Sequence, residues 1–422
     1  MSTNSNEASP TIPSGKFGKP SLFTQWGGRF AFFFTYLHTS HDLTTGLLAA
    51  LLPFIREDLH LDYLQAGFLV TAFSLTAGLS QLLGGWLSDR ISKRNAITIG
   101  LCGVGLSCIV ISFAHSYYAL LATLIILGVF SGFYHPSGIS ALTSNFPASQ
   151  RGKVINLHMM GGGIGFAVGP LIGAVIAAQL NWHLAYAILG IPAVVAGVLV
   201  FTRLKLTEVK ASRASSSSQA KGQRSSIWQV FKPALLLLLI SVFMQLISGP
   251  LMSFMSLYLV DVHHLSAAAG SMWVTIIRFG GLAGNIVGGW LTDKWGRRRM
   301  IFLVLAAFGP VTFLMTKLPF GIGLVIVFIL FGWLMAMRET TTQTILMDNS
   351  PPGLRATIVG IYFSFGQQGS SIIQPVAGNF MDTIGIVDVF SFMAFLSIGL
   401  SVLALILAFK KTPISQIQSN TS

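Results

Sequence analysis

The sequence predicts an all-α membrane protein, with twelve transmembrane helices arranged as two pseudo-symmetric six-helix bundles. Three observations predict this. Over 422 residues, hydrophobic side chains make up 53% and charged ones only 9%, with a mean hydropathy of +0.71. Soluble domains carry about a quarter charged residues, so this chain has too little polar surface to be one. Soluble enzymes, nucleic-acid binders and secreted disulfide scaffolds are excluded on that ground. Second, twelve apolar stretches follow one another, each long enough for the roughly 20 residues that a spanning helix needs. Third, a single offset of 204 residues relates landmarks in the first half to landmarks in the second.

The elements follow in order. Residues 1–27 are polar, with Pro, Ser, Lys16 and Lys19, and lack the apolar run and small-residue cleavage site of a signal peptide. They read as a disordered tail. Apolar stretches lie at 28–55, 64–87, 95–114, 118–145, 154–180 and 183–202, then at 233–260, 269–292, 300–317, 320–346, 355–381 and 386–409. The N-terminal bundle is thus 28–202 and the C-terminal bundle 233–409. Between them, 203–232 holds Ser215-Ser216-Ser217-Ser218, seven Lys or Arg residues and one Glu, the composition of a flexible linker. Residues 410–422 form a second tail.

The net charge of +13 is a matter of topology. Of the 26 Lys and Arg residues, 22 fall in the tails, the linker and the loops after the even-numbered spans, with Arg29 and Arg355 counted at the span ends that border them. Only Arg56 and Lys317 fall on the other side, and Arg278 and Arg338 lie inside spans. By the positive-inside rule both termini are cytoplasmic, in the inner membrane. Nucleic acid is not expected as a partner. Cys102 and Cys108 share one apolar span and form no metal or redox motif.

The repeat is explicit. Gly85-Trp86-Leu87-Ser88-Asp89-Arg90 recurs as Gly289-Trp290-Leu291-Thr292-Asp293-Lys294, and the same offset relates Arg151 to Arg355, Leu61 to Leu265 and Gly165 to Gly369. Two equivalent halves of this kind usually rock about a site near the membrane midplane.

On these motifs the chain resembles the major facilitator superfamily over residues 28–409. The family's loop signature, Gly-x-x-x-Asp-Arg/Lys-x-Gly-Arg/Lys-Arg/Lys, is complete in the second copy: Gly289, Asp293, Lys294, Arg297 and Arg298, with Gly296 at the internal glycine. The first copy has Gly85, Asp89, Arg90 and Arg94, but Ser92 where glycine is expected. The resemblance implies that these loops latch one of two alternating states. In the fifth span Gly165, Gly169, Pro170 and Gly173 resemble the signature shared by drug/proton antiporters, which favours export. Within the superfamily, His38-x-x-x-Asp42 in the first span and Tyr134-His135-Pro136 in the fourth resemble the fosmidomycin-resistance type of exporter. The chain departs from many antiporters in lacking an arginine midway along the fourth span.

Ionisable groups at membrane depth cost about 2.5–3.5 kcal/mol each on insertion scales and usually mark a pathway. Asp42 lies one turn after His38, on the same helical face, as a candidate proton-handling pair. His41 is expected to point away from it. Arg278 has no acidic residue in its own span and is a candidate anchor for an anionic group. Arg338 and Glu339 are adjacent, and Glu339 stands 204 residues after His135. Trp273, Trp333, Gln245, Gln367 and Gln368 are further cavity candidates. No phosphate-binding loop or metal cluster is present, so no enzyme activity, metal or cofactor is expected. The expectation is a monomeric, proton-coupled exporter of a small organic compound, with sodium as the alternative ion. The rival readings are a symporter importing an organic anion such as a carboxylate, and a transporter-like sensor without flux.

Overall fold

The computed structural model describes residues 27–88, 90–204, 226–349 and 355–409. All regular structure in them is helical: α1 (Gly28–Thr45), α2 (Leu47–Leu59), α3 (Tyr63–Ser88), α4 (Lys93–Ile111), α5 (Tyr117–Ser144), α6 (Ala148–Gln179), α7 (Trp182–Arg203), α8 (Ser226–Asp261), α9 (Ala267–Trp295), α10 (Arg297–Lys317), α11 (Ile322–Asn349), α12 (Arg355–Ile384) and α13 (Ile386–Phe409). The first expected span is divided at Gly46, so α1 and α2 together make one of the twelve. Ten of the helices are individually long and apolar enough to cross a membrane among the described residues. α8 begins at Ser226, inside the stretch expected to be linker.

Local sequence sets where helices begin. Ser92, Ser116, Asn181 and Ser266 each accept a hydrogen bond from the backbone N–H three residues on, at 2.8–3.3 Å. Each thereby satisfies a donor that the first helical turn leaves free. This explains the departure in the loop signature. Ser92 has φ −62° and caps α4 with its side chain, whereas Gly296, 204 residues later, has φ +85° and makes no side-chain cap. That left-handed backbone needs glycine, and the first loop avoids it.

The two halves repeat each other in packing as well as in sequence. In the first, α1 packs on α6, α3 on α5, and α4 on both α5 and α7. In the second, α8 packs on α12, α9 on α11, and α10 on both α11 and α13. The halves meet through α3 against α12 and α6 against α9, a pairing that a pseudo-two-fold axis requires. Even the loop backbones match. His60 and His264, 204 apart, have φ of 51° and 54°. The α1–α6 seam depends on the fifth-span glycines: a Cβ on Gly165 or Gly169 would lie 2.4 Å from Thr39 O or 2.1 Å from Leu43 O. Small residues here let the two backbones touch. Gly46, where the first span divides, abuts the Pro170 ring.

The halves are joined at one end. Arg56 on α2 pairs with Asp261 on α8, which also accepts from the Tyr63 hydroxyl. Tyr63 and Leu64, opening α3, donate their backbone N–H groups to the Asp382 carboxylate on α12 at 3.0 and 2.8 Å. Ser256 and Ser271 donate to the carbonyls of Ala49 and Ala50. Nearer the middle, Thr71 donates to Ser371 O at 2.6 Å. Towards the opposite end, where the signature loops lie, Gln81, Leu82 and Leu83 are all exposed. Successive helical residues point in different directions, so α3 is uncovered there on more than one face.

Candidate functional site

A cavity of about 350 Å³ lies between the halves. Asp42 of α1, Ser131 and His135 of α5 and Phe166 of α6 line it from one half, and Arg278 of α9 and Gln367 of α12 from the other.

Asp42 is the hub of its wall. One carboxylate oxygen, Oδ2, lies 3.2 Å from His38 Nε2, one turn earlier on the same face. The other, Oδ1, lies 2.6 Å from His41 Nδ1. His41 therefore does not point away from the pair. A carboxylate has two oxygens, and the neighbouring ring folds back onto the second. Beyond the pair, His38 Nδ1 faces the His158 carbonyl at 2.9 Å. His41 Nε2 faces both the carbonyl and the hydroxyl of Ser131 at 3.2 Å. Gly162 makes the space: a Cβ there would lie 2.5 Å from the His38 ring and 2.8 Å from Asp42 Oδ2.

The partners fix a proton count. A carbonyl accepts only, so His38 Nδ1 must carry hydrogen. His38 Nε2 faces a carboxylate oxygen, and that contact also needs one hydrogen between the two atoms. His38 and Asp42 together thus hold one proton more than a neutral imidazole beside an ionised carboxylate. Side-chain exposure is 2% for His38, 0% for His41 and 15% for Asp42, so the carboxylate is the member that meets the cavity.

Aromatic rings enclose the cluster. His158 stacks on His38 with centroids 4.2 Å apart, and the Tyr134 ring stacks on His41 at 4.9 Å. His135 meets both histidines edge-on, at 5.2 and 4.7 Å. Ligand-type atoms of His38, Asp42 and His135 lie within 4.8 Å of one another. Two of those three groups are already each other's hydrogen-bond partners, and we assign no metal to them. His158 is the member that sequence reasoning missed. Its one signal is a histidine at membrane depth just ahead of Gly161-Gly162-Gly163.

Arg278 forms the opposite wall. Its guanidinium lies 3.9 Å above the Phe166 ring, across the boundary between halves. Its Nε is buried without a hydrogen-bond partner, and no ion pair reaches it among the described residues. A cation so placed is held by the π face and retains an unmet demand for an acceptor.

Arg338 and Glu339 diverge. Arg338 is 3% exposed and donates from Nη1 to the carbonyl and hydroxyl of Ser241 on α8, at 2.9 and 3.1 Å, inside the second half. Glu339 is exposed. At 100° per residue it lies about 120° round α11 from the outward stripe of Ile322, Ile326, Ile329 and Leu330. Trp273 packs against Phe320 with centroids 5.1 Å apart, and the buried Trp333 Nε1 has no hydrogen-bond partner among the described residues.

In the signature loops, Arg90 lies 3.6 Å over Trp86 and Lys294 lies 4.9 Å over Trp290, the same contact in each half. Arg94 faces Phe201 and Arg298 faces Phe302, at 5.4 and 6.0 Å. Asp293, Lys294 and Arg297 are exposed, and among the described residues Asp293 makes no ion pair. Asp89 lies outside the described residues.

Comparison with known proteins agrees with this architecture. The family model of the Major Facilitator Superfamily matches residues 32–373 and again 237–421. The fosmidomycin resistance protein of Escherichia coli is 23% identical over 85% of this chain and 88% of its own length. The phosphoglycerate transporter protein of Salmonella typhimurium is 25% identical over 60% of this chain and 61% of its own length. Among solved structures, a D-xylose-proton symporter superposes with a TM-score of 0.74 at 17% identity, covering 90% of this chain and 98% of the other. With the family matched over most of its length, and its two-bundle architecture seen in the helix packing, this chain belongs to the major facilitator superfamily, a family of membrane transporters and not of enzymes.

Proposed function

We propose that this transporter is a proton-coupled exporter of a small organic anion, working by alternating access with both termini in the cytoplasm. One observation carries the reading: Asp42, in a proton-holding cluster on the first half, and Arg278, a cation on the second with no ion pair among the described residues, face a single cavity. An anion bound at Arg278 satisfies the buried guanidinium and bridges the halves. A proton taken up or released at Asp42 changes the charge of the opposite wall. A group whose charge differs between two conformers links the gradient to their balance. Glu339, equivalent by repeat to His135, is the second candidate for proton uptake.

The charge distribution supports the orientation: most Lys and Arg residues lie on the side of the signature loops, as expected of a cytoplasmic face, and the sealed end is then external. The substrate class draws on Arg278 and on the relative named for phosphoglycerate. Export draws on the fifth-span glycines and on the relative named for drug resistance. The test is transport of a panel of labelled phosphonates, carboxylates and sulfonates by the purified protein in vesicles of known orientation. Export predicts that an external-acid gradient drives at least one of them outward from the cytoplasmic face, and that collapsing the gradient stops accumulation. Accumulation in the opposite direction would replace export with symport. Absence of both accumulation and counterflow for every anion would remove the anion reading.

A further inference from the structure

Three features of His41 are not used by a two-residue His38–Asp42 pair. It makes the shorter contact to Asp42, 2.6 Å against 3.2 Å. It is fully buried. Its outer nitrogen faces two oxygens of opposite capability, the Ser131 carbonyl, which only accepts, and the Ser131 hydroxyl, which also donates.

We infer that His41 and Ser131 form a proton relay for Asp42, so that the coupling site is the chain His38–Asp42–His41–Ser131. The inference rests on the Asp42 reading above and extends it. With Nε2 protonated, His41 donates to Ser131 O. With Nε2 bare, it accepts from Ser131 Oγ–H. His41 therefore passes through both neutral tautomers and the imidazolium without leaving a buried atom unsatisfied, whereas the His158 carbonyl holds His38 Nδ1 protonated throughout. Release begins with Asp42 protonated on Oδ1 and His41 protonated on Nε2. The Oδ1 proton moves to Nδ1, giving carboxylate and imidazolium. The Nε2 proton then passes to Ser131 Oγ as that hydroxyl gives its own proton to water in the cavity, which Ser131 lines. Asp42 ends ionised and His41 neutral, with hydrogen on Nδ1, and one proton has left. Uptake is the reverse.

Other titratable or charged groups surround this chain. Tyr134 and His135 approach from α5 and His158 from α6. Cys108 of α4 lies beside Thr44, and Tyr186 of α7 beside Cys108. Arg278 of α9 stands across the cavity. Among the described residues none of these is hydrogen-bonded to His41, whose partners are Asp42 and Ser131.

The test is the pH profile of gradient-driven transport for two variants, each with substrate exchange measured alongside. Ser131→Ala keeps the carbonyl and removes the hydroxyl, so bare Nε2 loses its donor and release needs a higher pH. Its alkaline limb is expected to move up by about one unit, the equivalent of one lost hydrogen bond. His41→Asn supplies an amide N–H near the Nδ1 position but cannot release a proton. Exchange is expected to survive while accumulation falls at least tenfold. If His41 merely positions Asp42, His41→Asn keeps the wild-type profile and Ser131→Ala leaves the alkaline limb in place. That pair of results overturns the relay. Asp42→Asn in the same assay separates the two levels. If it abolishes accumulation while both other variants behave as wild type, only the relay falls. If it leaves accumulation intact, the Asp42 reading falls and the relay with it.

Discussion

Arg56 and Asp261 are 205 residues apart and belong to different halves, yet they form an ion pair that closes one end of the molecule. Each is about a quarter exposed, 27% and 29%, and exposed pairs contribute only about 0.2–1 kcal/mol. Asp261 also holds the Tyr63 hydroxyl, and Asp382 caps the start of α3 from α12. The seal is therefore a network in which each bond is weak.

A weak seal suits a transporter that must open it in every cycle. Asp261→Asn is expected to shift the balance towards the state open at this end by about 1 kcal/mol, roughly fivefold in population. Spin labels on the loops after α2 and α12 measure it as a growing long-distance component. An unchanged distance distribution would show that the seal lies elsewhere.

Arg278→Ala is expected to abolish both exchange and gradient-driven transport at every pH, because it removes the anchor itself. Losing a hydrogen bond to a charged group costs about 1.5–3 kcal/mol, which predicts substrate affinity at least tenfold weaker by direct binding. Arg338→Ala is expected to lower thermal stability instead, because that guanidinium holds Ser241 within the second half. If Arg338→Ala loses binding and Arg278→Ala keeps it, the two roles are reversed.

Gly162→Ala tests the seat of the proton cluster. The added methyl would overlap the His38 ring and crowd Asp42 Oδ2. Overpacking of this kind costs about 1–3 kcal/mol, and the His38–Asp42 contact must lengthen to relieve it. Coupled accumulation is expected to drop more steeply than exchange, as measured by the ratio of the two rates. Equal loss of both would mark Gly162 as a packing residue only.

Among the described residues Asp293 makes no ion pair at the end that carries the signature loops, where the family resemblance assigns it a latch. A latch belongs to the state in which that end is shut. Asp293→Asn is accordingly expected to slow transport several-fold while leaving expression and the Arg56–Asp261 seal intact. Labels across the signature loops are expected to show fewer closed molecules. Normal turnover with an unchanged distribution would remove the latch role, and Asp89→Asn extends the same test to the first half.

Much of the architecture was legible because a membrane constrains sequence strongly. Apolar length gave the spans, and the recurrence of Gly85–Arg90 at Gly289–Lys294 anticipated the paired packing of the two halves. The division at Gly46 was not legible, since a glycine inside an apolar run is common and this one matters through Pro170, over a hundred residues away. The i, i+4 spacing of His38 and Asp42 announced their contact. His41 was misjudged because helical phase locates the Cβ and not the ring, and a carboxylate accepts from two directions. His158 and Ser131 entered through tertiary packing of α6 and α5 against α1, which no local pattern encodes. The departure at Ser92 has its reason in backbone conformation, φ −62° with a side-chain cap at Ser92 against φ +85° at Gly296, which sequence alone does not display.

If Asp42 links the proton gradient to the conformational cycle, neutralising it must separate accumulation from exchange. Purified wild-type protein and Asp42→Asn are reconstituted in proteoliposomes, and each is assayed for pH-gradient-driven accumulation and for gradient-free exchange of the same labelled anion. Asp42→Asn is expected to lose accumulation and retain exchange, because exchange requires only an occupied site and a moving cavity. Accumulation at the wild-type level in Asp42→Asn would show that the gradient is not coupled through this carboxylate.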